Sequence, residues 1–124
     1  MGYQDAADER AILDLRAPDV PVAWGAKVVD LVRRTREHPE IRVGSSVRGA
    51  IDMARLCGAL ARRRGVGIEN WHVGLDAALV ALSGRIRLAE STGRVSEDVV
   101  RELYRAVFGE EPRDAEGDDA SGGA

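Results

Sequence analysis

His38-Pro39-Glu40-Ile41-Arg42-Val43-Gly44-Ser45-Ser46-Val47-Arg48-Gly49-Ala50 is the stretch that decides how this chain folds, because it stops one helix and starts another. Pro39 disfavours helical geometry at His38 and cannot donate a backbone hydrogen bond, so the periodic segment before it is expected to end at His38. Gly44 supplies the corner. Ser45 or Ser46 can then accept from a free N–H of the helix that opens near Val47, either one acting as its N-cap. Arg48 falls in the first turn, where the positive end of the helix dipole disfavours a cation. Its presence there has two readings: a solvated surface arginine, or a cationic fork that joins the free N–H groups in an anion site of the kind that takes phosphate.

Outward from this turn, both flanks read as helix. Before it, Trp24, Val28, Leu31, Val32 and Thr35 recur at three- and four-residue steps, while Lys27, Asp30, Arg33, Arg34 and Glu37 face elsewhere. That stripe predicts a helix from Val22 to His38. After it, Val47, Ala50, Ile51, Met53, Ala54, Cys57, Leu60 and Ala61 form an apolar surface too broad for one neighbour. A central helix from Val47 to Arg64 follows. Gly49, Ala50, Ala54, Gly58 and Ala61 let other helices approach closely, although Gly58 costs about 1 kcal/mol of helix propensity relative to Ala. Arg62-Arg63-Arg64 before Gly65 complements a helix C-terminus and needs no nucleic acid to explain it.

Val28 to Gly65, reading VVDLVRRTREHPEIRVGSSVRGAIDMARLCGALARRRG, resembles the C-terminal helical lid of MoxR-type ATPases in the AAA+ superfamily, related to the lid of the magnesium chelatase ATPase. The likeness is carried by the Thr-Arg-x-His-Pro run at Thr35 to Pro39, the acidic Glu40, Arg42, Gly44 and the helix start around Ser46 to Ala50. Val47 departs from the family's usual proline, which removes some preorganisation of that start. The resemblance implies that Arg48 is the sensor 2 residue, reaching with Ser45, Ser46 and Val47 towards the phosphate end of ATP. It further implies a preceding AAA+ core domain in cis that supplies the Walker motifs and binds ATP with Mg2+. Neighbouring ATPase subunits in a ring and a client protein would be the other partners. After Gly65 the likeness fades.

The remaining chain extends the helical reading. With 124 residues and 44% apolar content there is material for one modest domain, and 4% aromatic content leaves its core aliphatic and alanine-rich. Asp5 to Arg16 carries Ala7, Ala11, Ile12 and Leu15 near one face, a short helix expected to dock weakly or to belong to something further upstream. Ala17-Pro18-Asp19-Val20-Pro21 reads as a connector. The conformation of 66–72 stays open between loop and extended strand. From Gly74, Leu75, Ala78, Leu79, Leu82, Ile86 and Ala89 form a stripe that predicts a helix to about Glu90, with Ser91-Thr92-Gly93 as a turn. Ser96 is expected to cap a last helix whose buried side is Val99, Val100, Leu103, Tyr104, Val107 and Phe108, ended by Gly109. The expected architecture is all-α, a compact bundle of four to five helices, divided as a short helix and Pro-rich linker over 1–21, a helical domain over 22–109 and a disordered acidic tail over 110–124.

Charge and chemistry exclude more than they assign. Of 18 basic and 21 acidic residues, one base (Arg113) and six acids (Glu110, Glu111, Asp114, Glu116, Asp118, Asp119) lie from 110 onward, leaving 17 against 15 before it. That balance gives no argument from charge for nucleic acid or a membrane surface, and neither is expected as a partner. No apolar run is long enough to span a bilayer and no signal peptide opens the chain, so a cytoplasmic protein is expected. Lys27, between Ala26 and Val28, is the only lysine, so this stretch holds no P-loop. No metal site is expected, His72 having no partner at ligand spacing, and Cys57 reads as a packing residue. Asp52, four residues after Arg48, reads as its local ion-pair partner. The isolated chain is therefore expected to lack catalytic activity. The alternative to a lid is a free-standing helical module that binds a protein, or DNA, through the helix pair around Gly44, with Trp24 and Trp71 as candidate contact residues.

Overall fold

The computed structural model describes residues 5–112, and they form an all-α bundle with one very short sheet. Helix α1 spans Ala6–Arg16, with Asp5 as N-cap accepting from the Asp8 N–H at 2.8 Å and with Asp8 and Glu9 in the first turn. Helix α2 (Val22–Arg34) follows Pro21 and buries Trp24, Val28, Val29, Leu31 and Val32. Helix α3 (Val47–Arg64) starts on Ser46, the N-cap, and ends on Gly65, whose φ of 71° lets the Val66 N–H reach the Ala61 carbonyl at 3.0 Å.

Helix α4 (Trp71–Leu82) opens on Asn70, whose side chain accepts from the His72 and Val73 N–H groups. The segment 66–70 is thus a turn into a helix. Helix α5 spans Ser96–Phe108 and stops at Gly109, at φ 91°. α3 packs against α1, α2 and α4, and α5 lies on α2 and α4. Val28, Val32, Met53, Cys57, Val73, Ala77, Leu82, Val99 and Val100 meet in the core with almost no exposed surface.

Four expectations are corrected. α2 ends at Arg34, not His38, because the Thr35 hydroxyl donates to the Val32 carbonyl at 2.6 Å and the chain continues in turns. α4 ends at Leu82, well short of Glu90. Ile86 and Ala89 keep the apolar spacing but leave the helix after Ser83-Gly84, and Arg87–Leu88 forms strand β2. It pairs antiparallel with β1 (Ile41–Val43) inside the organising turn, Ile41 opposite Leu88 and Val43 opposite Arg87, with an irregularity between them. A 3-10 turn at Glu90–Thr92 leads on towards α5, whose N-cap is Val95 and not Ser96; Glu97 and Asp98 complement the helix dipole there. Finally, α1 does not dock weakly: Leu13 and Glu9 are fully buried, and the connector buries Ala17 and Val20.

Among the described residues the aromatic rings are concentrated. Trp24, Trp71, Tyr104 and Phe108 form one cluster where α2 and α4 begin and α5 ends, with Tyr104 stacked on Phe108 at 4.4 Å between centroids. Trp71 Nε1 donates to the Gly109 carbonyl and the Tyr104 hydroxyl donates to the Trp71 carbonyl, each at 2.8 Å. The 110–112 segment continues past this cluster, Glu111 meeting His72 Nε2 at 2.9 Å. The rest of the expected acidic tail lies outside the described residues.

Candidate functional site: the mouth of α3

The loop that carries Arg48 is fixed from behind by buried polar groups. Thr35, fully buried, accepts the Ser45 N–H on its hydroxyl at 2.8 Å. Arg36 Nε donates to the Ser45 carbonyl at 2.7 Å while its Nη2 meets the buried Glu9 carboxylate at 2.9 Å; Arg33 also reaches Glu9, at 3.4 Å. One carboxylate on α1 therefore holds the residue that holds the loop. Gly44 lets the two chain segments touch, since a Cβ there would lie 2.6 Å from the Thr35 carbonyl oxygen, closer than side chains come. Gly49, in the first turn of α3, permits a second close approach, because a Cβ there would overlap the Ser45 hydroxyl.

On this support the four expected site residues separate. Ser45 is buried, and its hydroxyl donates to the Ser46 carbonyl at 2.9 Å, so its polar atoms are used within the loop. Ser46 is exposed and accepts the Arg48 N–H at 3.3 Å; Val47 is half-buried. Arg48 is exposed, and among the described residues its guanidinium has no hydrogen-bond or ion-pair partner. Asp52, expected beside it, is instead paired with Arg85 from the approach to β2. The mouth of α3 thus presents an exposed cation with no partner among the described residues, on a loop that cannot easily shift, which suits an anion, although Ser46 already takes the Arg48 and Gly49 N–H groups.

A second charged cluster lies where the organising turn meets α5. His38 Nδ1 accepts the Glu40 N–H at 3.0 Å, which leaves Nε2 to donate to Glu102 at 3.1 Å. Arg94 bridges Glu40 at 2.9 Å and Glu102 at 2.8 Å. Hydrogen bonds from Arg94, then from His38, hold the Glu102 carboxyl below its ordinary pKa, and the two carboxylates push Arg94 above its own. Both ring nitrogens of His38 are engaged within the cluster, which ties the organising turn to α5. Cys57 is buried, and burial pushes its thiol up to about 12.

Trp24 is buried, whereas Trp71 is half-buried and held within the aromatic cluster. Among the described residues no three His, Cys, Asp or Glu side chains gather as metal ligands would, and no helix is long and apolar enough to cross a membrane. The periodic stripe marks Thr35 as inward-facing but gives no sign that it anchors the loop; Arg36 and Glu9 carry no signal at all, since their partners are distant in sequence. No family model, no curated protein and no solved structure matches this chain.

Proposed function

We propose that this chain is the sensor 2 lid of a MoxR-like AAA+ ATPase, acting in the cytoplasm with a core domain that precedes it in cis and with neighbouring subunits of a ring. The observation that carries the reading is Arg48: an exposed, unengaged guanidinium in the first turn of α3, on a loop pinned by Thr35, Arg36 and Gly44. A cation meant to meet a terminal phosphate gains from such preorganisation, because no side chain among the described residues has to release it. The exposed Ser46 hydroxyl would donate to the same anion. The core domain would bind ATP with Mg2+, and the bundle would move as a body to carry nucleotide state to a client protein in a chaperone-like or metal-insertion complex.

The test has two steps. An immunoblot of the source cells with an antibody against this chain should show a band larger by a domain, roughly 100–200 residues. In that longer ATPase, Arg48→Ala should leave the fold intact and cut hydrolysis by ~10–100-fold, the scale of a lost charged hydrogen bond of about 1.5–3 kcal/mol. Unchanged turnover would remove the sensor assignment.

One observation favours the alternative of a protein-binding module. A shallow groove of about 590 Å³ runs between α3 and α4, walled by Leu56, Ala59 and Val80, the last 72% exposed. A native band at the size of this chain would promote that reading.

A further inference from the structure

His38 stands between the end of α2 and strand β1, its side chain only 8% exposed. The ring is bonded on both sides, and the two bonds respond to a proton in opposite ways. Nδ1 takes the Glu40 N–H at 3.0 Å, which only a neutral ring can do, because an imidazolium has two donors and no acceptor. Nε2 donates to the Glu102 carboxylate at 3.1 Å, a contact that strengthens when the ring is charged. Neutral, His38 serves both partners; charged, it grips Glu102 and sets a second donor against the Glu40 N–H.

The charges around the ring come from three sides. Glu102 faces it from α5, and Arg94, just before α5, spans Glu102 at 2.8 Å and the Glu40 carboxylate at 2.9 Å. From α2, the Arg34 carbonyl accepts the His38 N–H at 3.1 Å, while the Arg34 guanidinium is paired with Asp30. Hydrogen bonds from Arg94, then from His38, hold the Glu102 carboxyl below its ordinary value of 4.5. Glu102 therefore stays ionised across the range in which imidazoles charge, about pH 5–8. The Glu40 peptide is where the turn meets the sheet. Its carbonyl accepts the Ala89 N–H at 2.9 Å, next to β2, and the Ile41 N–H closes on the His38 carbonyl at 3.1 Å. The Ser45 loop hangs on other groups, Thr35 and Arg36.

We propose that His38 is a proton-operated latch on the two-stranded sheet: a proton taken up at Nδ1 expels the Glu40 N–H, frees the 38–41 turn and loosens β1 from β2. Arg94 and Glu102 keep α5 attached meanwhile, and the loop that carries Arg48, pinned separately, stays in place. The sheet is thus closed at neutral pH and open in mild acid. The latch needs neither nucleotide nor a second domain, and it stands apart from the lid reading.

The test is NMR of the full chain between pH 8 and pH 5. At pH 8 the His38 ring should carry its proton on Nε2 and leave Nδ1 bare. As the ring charges, exchange of the Glu40 amide, corrected for the intrinsic effect of pH, should quicken roughly 5-fold, the scale of one net hydrogen bond. The Ala89 amide should follow, and the Ser45 amide should not. His38→Asn, whose Oδ1 can accept in place of Nδ1 but takes up no proton, should hold the Glu40 amide at both ends of the range. A proton on Nδ1 at pH 8, a ring still neutral at pH 5, or a Glu40 amide indifferent to the ring would each overturn the proposal. So would the same quickening in His38→Asn, or Ser45 quickening in step, which would mean general unfolding. Should the variant not fold, the ring and amide signals of the parent chain decide by themselves.

Discussion

Gly74 and Tyr104 show how far a single atom governs this fold. A Cβ at Gly74 would overlap the Tyr104 hydroxyl and lie 3.1 Å from its ring carbon Cζ, so α4 and α5 approach as they do only because residue 74 is glycine. Gly74→Ala should cost about 1–3 kcal/mol by overpacking, despite alanine's better helix propensity. Tyr104→Phe should cost about 1–3 kcal/mol, because the Trp71 carbonyl loses its donor. The double variant should be less destabilised than the sum of the two, by at least about 0.5 kcal/mol, since removing the hydroxyl makes room for the methyl group. Urea unfolding of the four proteins measures it, and strict additivity would refute the clash. At Cys57 the expectation is chemical: a thiol pushed up to about 12 leaves about 10⁻⁴ as thiolate at pH 8. A colorimetric thiol reagent should therefore find no reactive cysteine in the native chain and one after denaturation.

At the scale of elements, the tie between the organising turn and α5 sets a pH dependence. Arg94 first, and His38 second, hold the Glu102 carboxyl below its ordinary pKa in the folded chain. A carboxyl depressed by folding contributes stability above its unfolded pKa, near 4.5, and loses that contribution as pH falls through the folded value. Glu102 is half-exposed, so the pair is worth ~0.5–1 kcal/mol. Thermal melts should show Glu102→Gln less stable than the parent at pH 7, with the gap closing as the pH is lowered below 4.5. A gap that persists at pH 2 would mean that packing, not charge, is lost. This tie also marks what periodicity can and cannot reveal. α2, α3 and α5 were legible because their apolar residues repeat every three or four positions against a polar background. The pairing of β1 with β2 was not, since Ile86 and Ala89 continue the helical stripe of α4 and strands of two or three residues have no period of their own. Gly84 was the only local sign that the helix stops. The mouth of α3 was legible as a capped start after a proline, whereas its anchors were hidden: Arg36 sits in no pattern, and Glu9 is 24 residues from Arg33.

Over the whole molecule, Glu9 is the residue on which α1, the end of α2 and the Ser45 loop depend together. It is 2% exposed and faces Arg33 and Arg36. Glu9→Ala should destabilise the chain by about 3–5 kcal/mol, because Arg36, only 8% exposed, keeps its charge and loses the carboxylate. Against a total of about 5–15 kcal/mol for a domain, that is a large fraction. Hydrogen exchange should show the Ser45 amide losing protection along with α1; if α1 alone is affected, the linkage through Arg36 is absent. The aromatic cluster has a further, optical consequence. Both tryptophans lie within it, Trp24 against Phe108 and Trp71 against Tyr104, at the point where α5 is fastened to the bundle. Intrinsic fluorescence therefore reads one place only: a shift in emission reports the release of α5 from α2 and α4, and the organising turn can rearrange unseen. The chain carries its own dye, and that dye is blind to the Arg48 end.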